Sequence, residues 1–369
     1  MSNKAIYFPG LNGLRAIAAI SVVISHITLA LQEFDLNPAI LGVDKSGSPL
    51  GFRLGGYGVS IFFALSGFLI TYLLKEEKQE GEIDIKKFYV RRILRIWPLY
   101  YLYLLLSVIT IFAFKLEFDL NSFLFYFFYA ANIPSILGTT LPFLHHYWSL
   151  GVEEQFYLFW PWLIKKLDKH MLTILLLLIG ALMAIKLFLH IFYLNSIADL
   201  SFVITRFHCM MIGGVAAILY RQQHRLFFKI TDNKIVQFGS WIIILLSALN
   251  FFTIASIIDN EIISIVAVFL IIGQIRIKNR IINLENKVFD LLGKISYGIY
   301  VFHPLVIFYF SKWLRSAMPA SPYKYFIVYF LILGSTVLIA YLSYRYFEKY
   351  FLKLKQKYTV IRSSATSTS

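Results

Sequence analysis

A chain of 369 residues with 59% hydrophobic, 18% aromatic and only 15% charged side chains lacks the polar surface that soluble domains of that length need. Its composition is that of a protein dissolved in lipid. A net charge of +15 would suit nucleic acid, but the basic residues fall in alternate gaps between apolar runs, which is the positive-inside pattern of a membrane protein and speaks against a nucleic-acid partner.

Apolar runs at 17–30, 61–74, 172–189 and 326–341 reach or approach the length that crosses a bilayer. Similar runs recur along the whole sequence. The reading is an all-α integral membrane protein, one bundle of about ten transmembrane helices at 1–350. A basic, then Ser/Thr-rich cytoplasmic tail at 351–369 follows, with no appended soluble domain expected. With Lys4 on the cytoplasmic side, the first helix runs outward over about 12–32 and the second returns over about 59–74. Basic clusters then mark every inner segment: Lys75 to Arg95; Lys165, Lys166 and Lys169; Arg221 to Lys234; Arg276 to Lys294; and the tail from Arg345. Outer segments hold only Lys45, Arg53, Lys115, Lys312, Arg315 and Lys324. An even count of crossings returns both termini to the cytoplasm, whereas an odd one would expose a basic block outside.

The first helix carries Arg15 and His26 inside its apolar stretch, which argues against a cleaved signal peptide. Ionisable groups in a spanning helix are costly unless they face a cavity or a partner. Eleven residues are close to three helical turns, so both share one face about 16 Å apart along the axis. Arg15 can snorkel to headgroups and His26 can donate to a neighbouring carbonyl; alternatively His26, with an ordinary pKa near 6.5, is the usual base for a hydroxyl proton. In the second helix Ser60, Ala64 and Gly67 are spaced for close helix packing.

The third helix opens with a basic run in which Arg91 and Arg95 are four residues apart and share a face, with Arg92 beside them. The lysines of this run read as topology signals, and the guanidinium forks suit phosphate oxygens of a cytoplasmic ligand. Further on, Trp148, Ser149, Glu153 and Glu154 stand at the entry of an inward-running helix. Ser149 is a candidate N-cap, and one of the two carboxylates is a candidate to orient a catalytic partner; Glu153 and Glu154 are not separable by spacing. Near the end, His303 precedes Pro304 in mid-helix, where a backbone hydrogen bond is already lost, so His303 either satisfies the freed carbonyl or contacts substrate. His190 and His208 have no partner in sequence. The single Cys209 excludes an intramolecular disulfide, and no paired-histidine spacing calls for a metal.

Five blocks in order resemble the bacterial membrane-bound acyltransferase-3 family, typified by O-antigen and exopolysaccharide O-acetyltransferases. They are LNGLRAIAAISVVISHI at 11–27, GVSIFFALSGFLIT at 58–71, FYVRRILRIWPLY at 88–100, HYWSLGVEEQFYLFWP at 146–161 and LGKISYGIYVFHP at 292–304. The resemblance implies a multi-pass protein of the bacterial inner membrane. It implies transfer of an acyl group, usually acetyl from cytoplasmic acetyl-CoA, to a hydroxyl of a cell-surface glycan or its lipid-linked precursor. It assigns Arg15 and His26 as essential, Arg91, Arg92 and Arg95 to the donor, and Trp148, Ser149 and Glu153 or Glu154 to a conserved motif. His26 would act as base or as acyl carrier, with Trp148, Ser149 and His303 on the substrate side and no metal. The family's closing motif departs here, because Glu348 and Lys349 are followed by Tyr350 rather than proline. The rival reading of the same features is a proton-coupled transporter or flippase. Oligomeric state has no signature in the sequence.

Overall fold

The computed structural model describes residues 5–43, 47, 49–167, 170–319 and 321–363. Lys4, Lys45, Lys169 and residues 364–369 of the tail, invoked above, lie outside them. The chain is helical almost throughout. In order come α1 (Leu11–Leu29), α2 (Phe52–Glu80), α3 (Ile85–Ala113), α4 (Leu120–Phe127), α5 (Asn132–Leu137), α6 (Trp148–Lys166), α7 (Met171–Phe192) and α8 (Ile197–Thr205). The second half holds α9 (Phe207–Arg221), α10 (Arg225–Thr231), α11 (Lys234–Ala248), α12 (Asp259–Arg276), α13 (Lys287–Lys294), α14 (Ser296–Ala317), α15 (Pro322–Ser343) and α16 (Lys349–Gln356). Two short strands, β1 (Ala5–Ile6) and β2 (Arg362–Ser363), pair in parallel and tie the two ends of the described chain together.

Six stretches among the described residues are long and apolar enough to cross a membrane: Leu11–Phe34, Arg53–Glu80, Ile85–Ala113, Met171–Phe192, Ile197–Arg221 and Pro322–Gln356. A seventh arises if α13 and α14, bent by 66° at Ile295, form one broken span. The expectation of about ten therefore has fewer unambiguous members than the charge pattern suggested. The physical reason is visible in the remainder: α6 and α12 carry several charged side chains, and α11 is only 15 residues long. Lipid contact is clearest for α7, where only 11% of the apolar window is buried. Its Leu177, Phe188 and Phe192 point away from the protein, as a lipid-facing stripe must.

The second helix is the axis of the bundle, packing against α1, α9 and α12. It is longer than the 59–74 segment expected from apolarity, because Lys75, Glu76, Glu77 and Lys78 continue the helix as a polar extension. The small-residue stripe works as expected. A Cβ on Gly67 would stand 1.9 Å from the Met210 carbonyl oxygen, and one on Gly213 would stand 2.1 Å from that of Ala64, so α2 and α9 meet backbone to backbone. Several helix starts are capped by acidic or amide side chains. Asp84 caps α3 and Asp119 caps α4. Both carboxylates are held below the usual range, Asp84 chiefly by the Lys87 backbone N–H and Asp119 chiefly by the Ser122 hydroxyl. No such cap exists for α6: it starts at Trp148, and Ser149 is bonded elsewhere.

Candidate active site

Between α1, α2, α3, α6, α14 and α16 lies a cavity with about 1060 Å³ of empty space including its mouth. At one end stand Arg15 from α1, Arg92 and Arg95 from α3, and Lys355 from α16. Glu153 of α6 is the only carboxylate in that lining. Glu348 and Glu154 stand outside the lining but near enough to interact with Arg95 and Arg92, so the four cations still outnumber the carboxylates around them, which in a low-dielectric setting is costly unless an anion joins them. The side chains are correspondingly underused. Neither Arg95 nor the ammonium of Lys355 has a hydrogen-bond acceptor among the described residues, and Arg92 Nε is buried without one. Arg92 instead lies over the rings of Phe88 and Tyr157, 5.7 and 5.5 Å from their centres. Arg15 has a single weak partner, the Asn12 side-chain oxygen at 3.3 Å.

The middle of the cavity is apolar, lined by Val59, Phe62, Phe63, Leu69, Ile70 and Ile96. Its far wall is polar again. There Ser149 Oγ and the Tyr300 hydroxyl lie 2.5 Å apart, and the Tyr300 hydroxyl donates to the His146 carbonyl at 2.7 Å. Behind that wall, one helical turn along α14, His303 is fully buried, and its Nε2 lies 2.7 Å from His26 Nδ1. The His146 ring packs edge-on against His303, 5.1 Å between centres. His26 itself is only partly buried, so the accessible member of the pair is the one on α1.

The structure brings together Arg15, Arg92, Arg95, Glu153 and Ser149 around one cavity, and His26 with His303 next to it. It separates others. Arg91 turns away to α2, where Nη2 pairs with Glu77 at 2.6 Å and Nη1 donates to the Tyr358 carbonyl at 3.0 Å. The helix face shared with Arg95 is too wide to give the two guanidiniums one destination. Glu154 does not line the cavity and instead accepts from Trp97 Nε1 at 3.4 Å. Glu153 accepts hydrogen bonds from Ser66 and Tyr157. The group bonded to the His26 imidazole is therefore a second histidine, where a carboxylate was expected. Trp148 stacks under the Arg206 guanidinium at 5.2 Å and does not line the cavity.

Histidines that looked partnerless in sequence also acquire partners. His208 bonds to Glu261, which pairs with Lys186 at 2.6 Å, and His190 lies 3.5 Å from Asp199. Ligand atoms of His208, Cys209 and Glu261 come within 4.8 Å of one another; Glu261 Oε1 meets both His208 and the Lys186 ammonium, while its Oε2 is buried without a partner.

The sequence profile of the acyltransferase domain (Acyl_transf_3) matches residues 8–345, which include every helix that lines the cavity except α16. The chain belongs to the acyltransferase-3 family. A Staphylococcus aureus (strain COL) protein, named provisionally as an O-acetyltransferase, is 30% identical over 389 residues, covering 95% of this chain and 58% of that protein. The O-acetyltransferase OatA of Staphylococcus aureus (strain NCTC 8325 / PS 47) is 28% identical over 372 residues, covering 93% of this chain and 57% of that protein. The chain thus spans a little over half the length of these acyltransferase-3 relatives. No solved structure matches it.

Proposed function

We propose that this acyltransferase-3 protein moves an acyl group, acetyl in the first instance, from cytoplasmic acyl-CoA to a hydroxyl of a cell-surface glycan or its lipid-linked precursor. The observation that carries the reading is the cationic cavity. Arg15, Arg92, Arg95 and Lys355 supply the charge that the phosphates of coenzyme A require, and the apolar middle suits an extended pantetheine arm. The arm would bring the thioester to the wall of Ser149 and Tyr300, beside His26. There the acceptor oxygen forms a bond to the thioester carbonyl carbon while His26 takes its proton; the carbon–sulfur bond breaks, and the thiolate leaves with that proton. In the alternative order His26 carries the acyl group first and then yields it to the acceptor.

The orientation belongs to the same reading. In it, α6, α11 and α12 complete ten crossings of a bacterial inner membrane, both termini are cytoplasmic, and the basic end of the cavity faces the cytoplasm. Family membership favours this chemistry over a proton-coupled carrier. Names of the Staphylococcus aureus relatives support acetyl as the group. The deciding experiment supplies radiolabelled acetyl-CoA to inside-out membrane vesicles of the source cells and counts label in the glycan fraction. Label that depends on the protein and on His26 is expected; label unchanged in the His26→Ala variant would overturn the assignment.

A further inference from the structure

We propose that His303 is a positioning residue that fixes the tautomer of His26, using a carbonyl released by Pro304. The proposal rests on the reading of His26 as the group that takes the acceptor proton. In α14 the carbonyl of Tyr300 would normally receive the backbone N–H of the residue four positions on, but that residue is Pro304, which has none. His303 Nδ1 lies 2.7 Å from this carbonyl oxygen.

A carbonyl can only accept, so Nδ1 of His303 carries the proton. Neutral imidazole has one N–H, which leaves Nε2 of His303 as an acceptor. That Nε2 faces His26 Nδ1 at 2.7 Å, so His26 donates from Nδ1 and keeps its lone pair on Nε2. The same contact serves after proton uptake. An imidazolium donates from both nitrogens, so the Nδ1–H of charged His26 still finds His303 Nε2, and the positive charge gains a hydrogen bond without any proton passing to His303. Full burial of His303 and partial burial of His26 divide the roles: the first can touch only protein, the second can reach substrate. A hydrogen-bonded orienting partner for a catalytic base is ordinarily a carboxylate, and here a backbone carbonyl acts through a second imidazole.

The test uses the vesicle assay with purified-protein controls for folding. In His303→Met the acceptor is lost at constant volume; in His303→Gln the side-chain oxygen replaces Nε2 and the amide NH2 can still reach the Tyr300 carbonyl. The expected result is a fall in kcat of about 100-fold or more for the methionine variant with the KM for acetyl-CoA unchanged, and recovery of the glutamine variant to within about 10-fold of wild type. Equal losses in both variants would overturn the proposal, as would a wild-type kcat in His303→Met. Should the methionine variant fail to fold, the glutamine variant decides: strong loss of kcat in folded protein rejects the relay. Wild-type vesicles that transfer no label would instead overturn the acyltransferase reading itself.

Discussion

Arg91 Nη2 and Glu77 Oε1 form a buried ion pair at 2.6 Å, and it divides the work of two arginines that stand four residues apart on α3. Arg91 fastens α3 to α2 and, through the Tyr358 carbonyl, to the segment after α16. Arg95 has no such anchor and faces the cavity.

Removing one partner of that pair leaves a buried charge without its complement, so Arg91→Met or Glu77→Gln should each destabilise the protein by about 3–5 kcal/mol. Replacing both at once should be close to neutral. Thermal unfolding in detergent measures this, and single variants with wild-type midpoints would show that the pair contributes nothing.

Arg92, Arg95 and Lys355 should behave in the opposite way. Each truncation to alanine should weaken binding of coenzyme A roughly 10-fold or more while leaving the unfolding midpoint near wild type, because none of the three cations is held in an ion pair of its own. Titration calorimetry on purified protein reads the affinity. Lys355→Arg should retain most of it, since charge matters more than shape at a flexible ammonium.

Glu153 is the carboxylate that lines the cavity beside its cations, and it holds Ser66 and Tyr157. Glu153→Gln keeps an acceptor for both hydroxyls and removes the negative charge. Coenzyme A should then bind roughly 5-fold more tightly, as expected from one fewer repulsion at an effective dielectric constant near 20. Weaker binding would mean that Glu153 organises the arginines instead of opposing the donor.

The α2–α9 contact offers a test of packing alone. Gly67→Ala places a methyl against the Met210 carbonyl and should cost about 1–3 kcal/mol. Gly180→Ala, where a Cβ meets nothing within 4 Å, should be neutral or slightly stabilising. Equal effects at both positions would rule out close approach as the reason for Gly67.

Much of this was legible in the sequence because lipid imposes strict rules. Arg15 and His26 announced themselves as charges in an apolar helix, and the stripe of Ser60, Ala64 and Gly67 announced a close contact. Pro304 announced a free carbonyl. What periodicity could not give was the direction of neighbouring side chains: Glu153 and Glu154 differ by one residue and face different surroundings, and Arg91 was separated from Arg95 by a carboxylate on another helix. Lys355 left no signal at all, since a lysine among Lys353, Lys355 and Lys357 reads as a solvated tail. Tyr300 could have been found from its position one turn before His303, on the same face of α14.

Arg15 lies near the start of the described chain and Lys355 near its end, and β1 and β2 pair those two ends with each other. For a chain threaded into the bilayer as it is synthesised, the cavity cannot close until α16 has left the ribosome. Until then α1 and α3 carry arginines with neither a fourth cation nor a closed wall. Translation order therefore sets assembly order, because an intermediate that stops short of α16 lacks Lys355 and the wall it supplies.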